Sequence, residues 1–373
     1  MSNGYGEDKA AACIAGRLVD AYPSAEVMAA PLVTEGECYS RLGIPLLTHG
    51  KSPPSGGFPL KSVRGFVLDL SFVHRYAGYC ARLRHISAEI DRVVAVGDVS
   101  LLTLAYLSFR KLIVFVDLAK STHKGHHYRI EESLMRRLAC EVLTRDDVTR
   151  EDLEHRGINA RYLGNPMMDG IVPMGISLGE GPIVGILPGS RSESPENLLR
   201  ILLVVERLPA EITFACALPA CVSVDRAVWP ARAKGWVLDD ASLKKNGRSV
   251  RMISNGFADV ISNARVVIGL AGSANEQAAG LGVPVVSFAG CGPQTTARRM
   301  RDQERLLGGA ARFISDFPEG VASEVMCLLS DHEERARRGS VGASRMGPPG
   351  ASKAIAGYLA REFGLESTPA MAA

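Results

Sequence analysis

Residues 266–288, VVIGLAGSANEQAAGLGVPVVSF, run from an apolar strand through a small-residue turn into a helix and out to a second apolar strand. Gly269, Gly272 and Ser273 form a turn whose backbone N–H groups can approach a ligand closely, and the following helix points its positive end at the same spot. This pattern predicts an anion site, best matched by a phosphate. Glu276 and Gln277 fall in the first helical turn, where side-chain oxygens can accept hydroxyl protons from a sugar beside the phosphate. Phosphate and sugar together suggest a nucleotide.

The same alternation of apolar strand and helix spreads through the chain. Strands are expected at 93–96, 112–116, 141–144, 183–187, 212–217, 266–268 and 283–288. Continuous apolar strands between helical patterns indicate parallel sheets covered on both faces, so the class is α/β, doubly wound. The 373 residues, 46% of them hydrophobic, favour two domains. A Gly- and Pro-rich break at 164–181 separates them, giving an N-terminal domain 1–165, a C-terminal domain 166–346 and a final helix and tail 347–373.

A net charge of +3 is too small and too mixed in sign for a nucleic-acid footprint. Eight cysteines without a C-x-x-C pair read as free thiols of a reducing compartment. No run reaches the ~20 apolar residues of a membrane span and no signal peptide is visible, so a cytoplasmic location is expected, at most peripheral to a membrane face. The stretch Phe58–Ile86 interleaves aromatic and cationic side chains and suits either an anionic bilayer or an amphipathic helix against the core.

Each domain carries a strand-to-helix turn. In the second it is Leu187-Pro188-Gly189-Ser190-Arg191, where the Arg191 guanidinium could grip a diphosphate through two parallel hydrogen bonds. In the first it is SNGYGED at 2–8, with Asp8 placed to cap a helix over 9–21. A doubly wound domain normally opens with a buried strand before such a loop. Here either that strand lies upstream of Met1 or the sheet does without it.

SNGYGED at 2–8, GNPMMD at 164–169, LPGSR at 187–191, AGSANEQ at 271–277 with Gly282-Val283-Pro284, and GCGPQT at 290–295 come in an order that resembles the lipid A disaccharide synthase family. The chain is most similar to the branch of synthase-related proteins, over most of residues 1–345. The resemblance implies a GT-B glycosyltransferase with two Rossmann-like doubly wound domains facing a central cleft. It implies transfer of a sugar from a UDP-sugar donor to a lipid-linked sugar acceptor, with inversion and with neither metal nor other cofactor. It assigns nucleotide roles to Gly189, Ser190, Arg191, Gly272, Ser273, Asn275, Glu276 and Gln277, and the acceptor to the N-terminal domain. In related enzymes a glutamate lies at the place of Gln277, and a one-residue offset turns a side chain by ~100° on a helix, so Glu276 and Gln277 both stand as ribose ligands.

Single-step inversion needs a base for the acceptor hydroxyl and stabilisation of the leaving diphosphate. Asp98 in VGDVS closes a strand at its carboxyl end, where open α/β sheets bind ligands, and matches a carboxylate important in the family. It is the first choice for the base, beside the simpler reading that it caps a helix over 100–109. Asp8 and Glu7 follow. His123, His126 and His127 lack supporting metal ligands and read as a solvated or acceptor-facing loop. Arg298, Arg299 and Arg301 read as a solvated helix face or as phosphate contacts. A UDP-sugar 2-epimerase on the same scaffold and a non-catalytic nucleotide-sugar binder remain open, and the sequence leaves oligomerisation undecided.

Overall fold

The computed structural model describes residues 1–50, 73–219 and 222–365, with residues 73–75 in backbone only. It divides into two compact units, one of Met1–Gly170 with the chain from Pro349 onward, the other of Ile171–Pro348. The first boundary falls at 170/171 rather than 165/166.

The second unit holds eight strands: β5 (Ile183–Leu187), β6 (Thr213–Leu218), β7 (Val237–Asp239), β8 (Ser242–Lys245), β9 (Arg248–Ser254), β10 (Ala264–Gly269), β11 (Val285–Ser287) and β12 (Ala311–Phe313). Their order across the sheet is β12-β11-β10-β5-β6-β9-β8-β7. All neighbours are parallel except β7–β8 and β8–β9, which form an antiparallel ribbon at one edge. β5 and β11 are buried at every residue, as strands covered on both faces require.

The helix α7 (Ser194–Val205) follows β5 and buries Leu198, Ile201, Leu202 and Val205 completely, one face of a 3.6-residue period. Trp236 anchors the far side of this core. Its indole N–H donates to Glu206 Oε1 at 3.0 Å, and Lys245 Nζ reaches the same oxygen at 2.8 Å. Two helices close the unit opposite the ribbon, α10 (Ser273–Gly280) and α13 (His332–Met346). A Cβ on Gly339 would stand 2.3 Å from the Gly282 carbonyl oxygen, and one on Gly342 2.3 Å from that of Ala279. The backbone of α13 therefore rests directly on the end of α10, an approach that only glycine permits.

The first unit carries β1 (Val94–Gly97), β2 (Ile113–Asp117), β3 (Ala139–Thr144) and β4 (Ala160–Tyr162), parallel and adjacent in that order. The place of the expected opening strand is filled by residues 1–3. Ser2 bridges both Pro31 and Val96 in parallel sense, the Val96 N–H donates to the Met1 carbonyl at 2.9 Å, and the Leu32 N–H to that of Ser2 at 2.8 Å.

The helix α1 starts at Tyr5, not at residue 9, with Gly4 as an N-cap in extended conformation and no side-chain cap. Asp8 is therefore inside the helix and is not its cap. The helix α14 (Ala351–Phe363) returns to this unit, and Ile355, Ala356 and Leu359 share a core with Ile14 and Leu18 of α1. The helix 351–363 thus belongs to the core of the first unit. The motif GNPMMD seats this helix: Asp169 accepts the Gly350 and Ser352 N–H groups at 2.5 Å each, and Ala351 packs against Gly164.

Gly342→Ala is expected to force α13 off α10 and cost about 1–3 kcal/mol. Gly357→Ala in α14, whose added methyl meets nothing closer than 3.8 Å, is expected to raise stability by up to about 1 kcal/mol. Thermal melts of the two variants, moving in opposite directions, check the contact.

Candidate functional site

In the second unit the chain lays down β5, moves outward through β6 and β9, and returns to add β10 on the other side of β5. The β5–β10 boundary is the point where strand order reverses, the usual place for a ligand at the carboxyl ends of such a sheet. Leu187 pairs with Gly269 there, and the Leu270 N–H donates to the Leu187 carbonyl at 2.8 Å. The turns that leave the two strands touch. Gly189 has φ +93°, and a Cβ on it would lie 2.9 Å from the Leu270 oxygen.

Both turns run into helix N-termini. α7 begins behind Glu193 and α10 behind Gly272, and neither N-cap residue gives a side-chain hydrogen bond to its helix. At α10 the leading N–H groups can take an anion by their direction and partial charge, whereas at α7 the Ser194 N–H already donates to the Arg191 carbonyl at 3.0 Å and residue 195 is a proline. Ser190 is exposed and Arg191 half-buried on the first turn; Ser273, Glu276 and Gln277 are half-buried at the start of α10. The structure thus brings LPGSR and AGSANEQ together at one sheet edge.

Asn275 is placed differently from these. It is fully buried, and its Nδ2 donates to the Gly269 carbonyl at 3.1 Å and to Gln303 Oε1 at 2.9 Å. Gln303, on α11 (Ala297–Leu307), donates in turn to the Gly272 carbonyl at 2.9 Å. Asn275 and Gln303 therefore fix the shape of the turn from beneath.

A third loop, 288–296, is tied to the same place. Asn197 of α7, 3% exposed, accepts the Cys291 N–H at 2.7 Å and donates to the Pro188 carbonyl at 3.3 Å. This one amide joins LPGSR to GCGPQT. Neither Asn197 nor Gln303 stands out in the sequence, except that Asn197 is a polar residue on the buried face of an apolar helix. Of the arginines after GCGPQT, Arg298 is exposed, Arg301 lies over the Phe313 ring at 4.6 Å, and burial lowers the pKa of Arg299.

In the first unit Asp98 takes the helix-cap role. It closes β1, and its Oδ1 accepts the Leu101 N–H at 3.0 Å as N-cap of α4 (Val99–Phe109). Burial raises its pKa, against hydrogen bonds from Leu101, Asn3 and Ser100 that lower it. Asp8 is 1% exposed and accepts the Thr34 hydroxyl, and its pKa is likewise raised by burial. Glu7 folds over Gly4, half-buried. Asp98 is the strand-end carboxylate with partial access to solvent.

The histidine loop is not uniformly solvated. His127 is buried with Nε2 2.8 Å from Asp117 Oδ2, while exposed His126 pairs with Asp152 at 3.0 Å. Among the described residues no three His, Cys, Asp or Glu converge as a metal site. Of the stretch 58–86, residues 58–72 lie outside the described residues. The helix α3 (Val73–His85) packs Tyr79 and Leu83 into the core, with the Tyr79 hydroxyl donating to the Ala30 carbonyl at 2.8 Å. Among the described residues no helix is long and apolar enough to cross a membrane.

The architecture is that of the GT-B class, two Rossmann-like α/β units. The calicheamicin glycosyltransferase CalG4 matches with a TM-score of 0.63 at 14% identity over 96% of this chain and 97% of its own. A UDP-GlcNAc 2-epimerase from Neisseria meningitidis, solved with UDP-GlcNAc bound, matches with a TM-score of 0.60 at 14% identity over 96% and 98%. No protein-family model matches the chain. In sequence it is similar to lipid-A-disaccharide synthases, 29% identical over 203 residues to that of Thiobacillus denitrificans and 26% over 165 residues to that of Solibacter usitatus. Those matches cover 48% and 41% of this chain and only 52% and 40% of the two relatives.

Asn197→Ala would leave the Cys291 N–H and the Pro188 carbonyl without their amide partner. A stability loss of about 1–3 kcal/mol is expected, with faster hydrogen exchange concentrated in residues 288–296. Uniformly unchanged exchange would show that the two turns are joined by something else.

Proposed function

We propose that the chain is a UDP-sugar-dependent glycosyltransferase, inverting and metal-independent, that resembles lipid-A-disaccharide synthase in chemistry. The observation that carries this reading is the meeting of the LPGSR and AGSANEQ turns at the strand-order reversal, with the N-terminus of α10 on one side and Arg191 on the other. A helix N-terminus together with a guanidinium suits a diphosphate. The UDP-GlcNAc held by the Neisseria protein and the partial likeness to the synthases support a UDP-linked N-acetylhexosamine as donor.

In this reading the N-terminus of α10 and Arg191 take up the charge that develops on the departing diphosphate, and Glu276 or Gln277 holds the ribose hydroxyls. Asn275, Gln303 and Asn197 hold the turns in that geometry without touching the donor. The first unit receives a lipid-linked or membrane-associated sugar, and Asp98 removes the proton from its attacking hydroxyl. The raised pKa of Asp98 suits it as a base, since a carboxylate of higher proton affinity draws the hydroxyl proton more strongly. The epimerase alternative shares the fold and is separated by product: a transferase consumes donor only in proportion to acceptor glycosylated.

Calorimetry with UDP is expected to show Arg191→Ala binding about ten-fold more weakly than the wild type, an effect of one charge-assisted contact. Equal affinity would sink the diphosphate assignment. For Asp98→Asn, turnover measured with UDP-sugars and a membrane lipid extract should fall by about 10²–10⁴ with UDP affinity unchanged. Wild-type turnover in that variant would remove Asp98 from the base role.

A further inference from the structure

The resemblance and the reaction chemistry leave one buried ionisable pair without a task. Asp117 ends β2 and His127 comes from the loop behind it. Their side chains are 1% and 0% exposed, and the His127 Nε2–H donates to Asp117 Oδ2 at 2.8 Å. His127 Nδ1 has no hydrogen-bond partner among the described residues. A carboxylate loses hydration when buried, and the His127 contact replaces part of it.

The β1–β2 register shows what this carboxylate faces. Asp117 stands opposite Gly97, and the Leu118 N–H donates to the Gly97 carbonyl at 3.2 Å. The residue that follows β1 is Asp98. One carboxylate thus ends β2 and the other follows the last residue of β1, on strands whose backbones are about 5 Å apart. A like charge on the neighbouring strand, shielded from water, disfavours ionisation of its neighbour and increases that neighbour's hold on a proton.

We propose that Asp117, clamped by His127, is a positioning residue for Asp98: its buried negative charge makes the Asp98 carboxylate a stronger base. The proposal rests on the reading of Asp98 as the base of sugar transfer. The direction of the Asp98 shift agrees, with burial as the larger cause and Asp117 as a charge acting in the same sense. The other groups around Asp98 act against it or are engaged elsewhere. The Asn3 side chain and the Ser100 and Leu101 N–H groups stabilise the ionised form. From α1, Asp8 is held by Thr34, and Glu7 lies over Gly4.

A cation near the pair is Arg145, just after β3, which donates to the carbonyl of Leu118, the residue next to Asp117, at 3.0 Å. Lys120 is engaged by Glu131 and His126 by Asp152. Arg145 offsets part of the Asp117 field, so the expected coupling is about one pH unit rather than the two or more of an unscreened pair.

The test reads Asp98 directly. In protein labelled with 13C-carboxyl aspartate, the Asp98 resonance is the one absent from Asp98→Asn, and its titration midpoint is compared across variants. Asp117→Asn, which keeps an acceptor for His127 but removes the charge, is expected to lower the midpoint by about one pH unit. The base must be ionised to act, so the acid limb of kcat/KM should move to lower pH by the same amount, with a lower plateau.

His127→Gln, which keeps both a donor and the charge, is expected to leave the midpoint near its wild-type value. An unchanged midpoint in Asp117→Asn would overturn the proposal. So would a fall in His127→Gln as large as that in Asp117→Asn. If circular dichroism showed Asp117→Asn unfolded, Asp117→Ser would take its place with the same expected fall. The titration is independent of turnover, so loss of the coupling and failure of Asp98 as base are separate results.

Discussion

The second unit depends on one pairing, the parallel ladder between β5 and β10. Strands so far apart in sequence meet only because the intervening chain builds β6, the ribbon and β9 on one side before crossing back. That crossing leaves two strand ends facing the same way with no crossover helix covering them, and each must turn at once into its own helix. The glycines at 189, 269 and 272 let the turns meet. On Gly269, a Cβ would stand 2.1 Å from Asn275 Oδ1, so the buried amide beneath the turn is compatible with no other residue there. An anion site follows from backbone geometry before any charged side chain is considered.

Much of this was legible in the sequence. All seven expected strands are present, because a strand buried on both faces is apolar at every position and needs no periodicity to be seen. The strands that escaped notice are half-exposed or short. β9 reads RSVRMIS, with buried and exposed residues mixed, and β7 and β8 are amphipathic pieces of three and four residues. One signal was there to be read. Asn246 and Gly247, both at positive φ, make the tight turn between β8 and β9, and Asn-Gly is the strongest short-range mark of a hairpin.

The site was legible in part, for a chemical reason. Motifs advertise residues that need a special backbone, and LPGSR and AGSANEQ do so through Gly189 and Gly269. Residues that hold motifs together from behind advertise nothing: Asn197 and Gln303 are ordinary polar letters until a fold buries them. The same holds for Asp169, which the sequence offers as part of a linker and which the fold uses to cap a helix more than 180 residues away. The sequence around His127 shows no supporting ligand, and only the fold brings the Asp117 carboxylate to it.

The contact of α13 with α10 has a further meaning. α13 carries none of the residues assigned to the donor, yet positions 339 and 342 admit no side chain without displacing the helix whose N-terminus forms the anion site. Tolerance to change at the AGSANEQ turn is therefore governed partly from a helix that contributes no residue to it. A search for variants of that turn would find forbidden positions at 339 and 342 as well as within the turn itself.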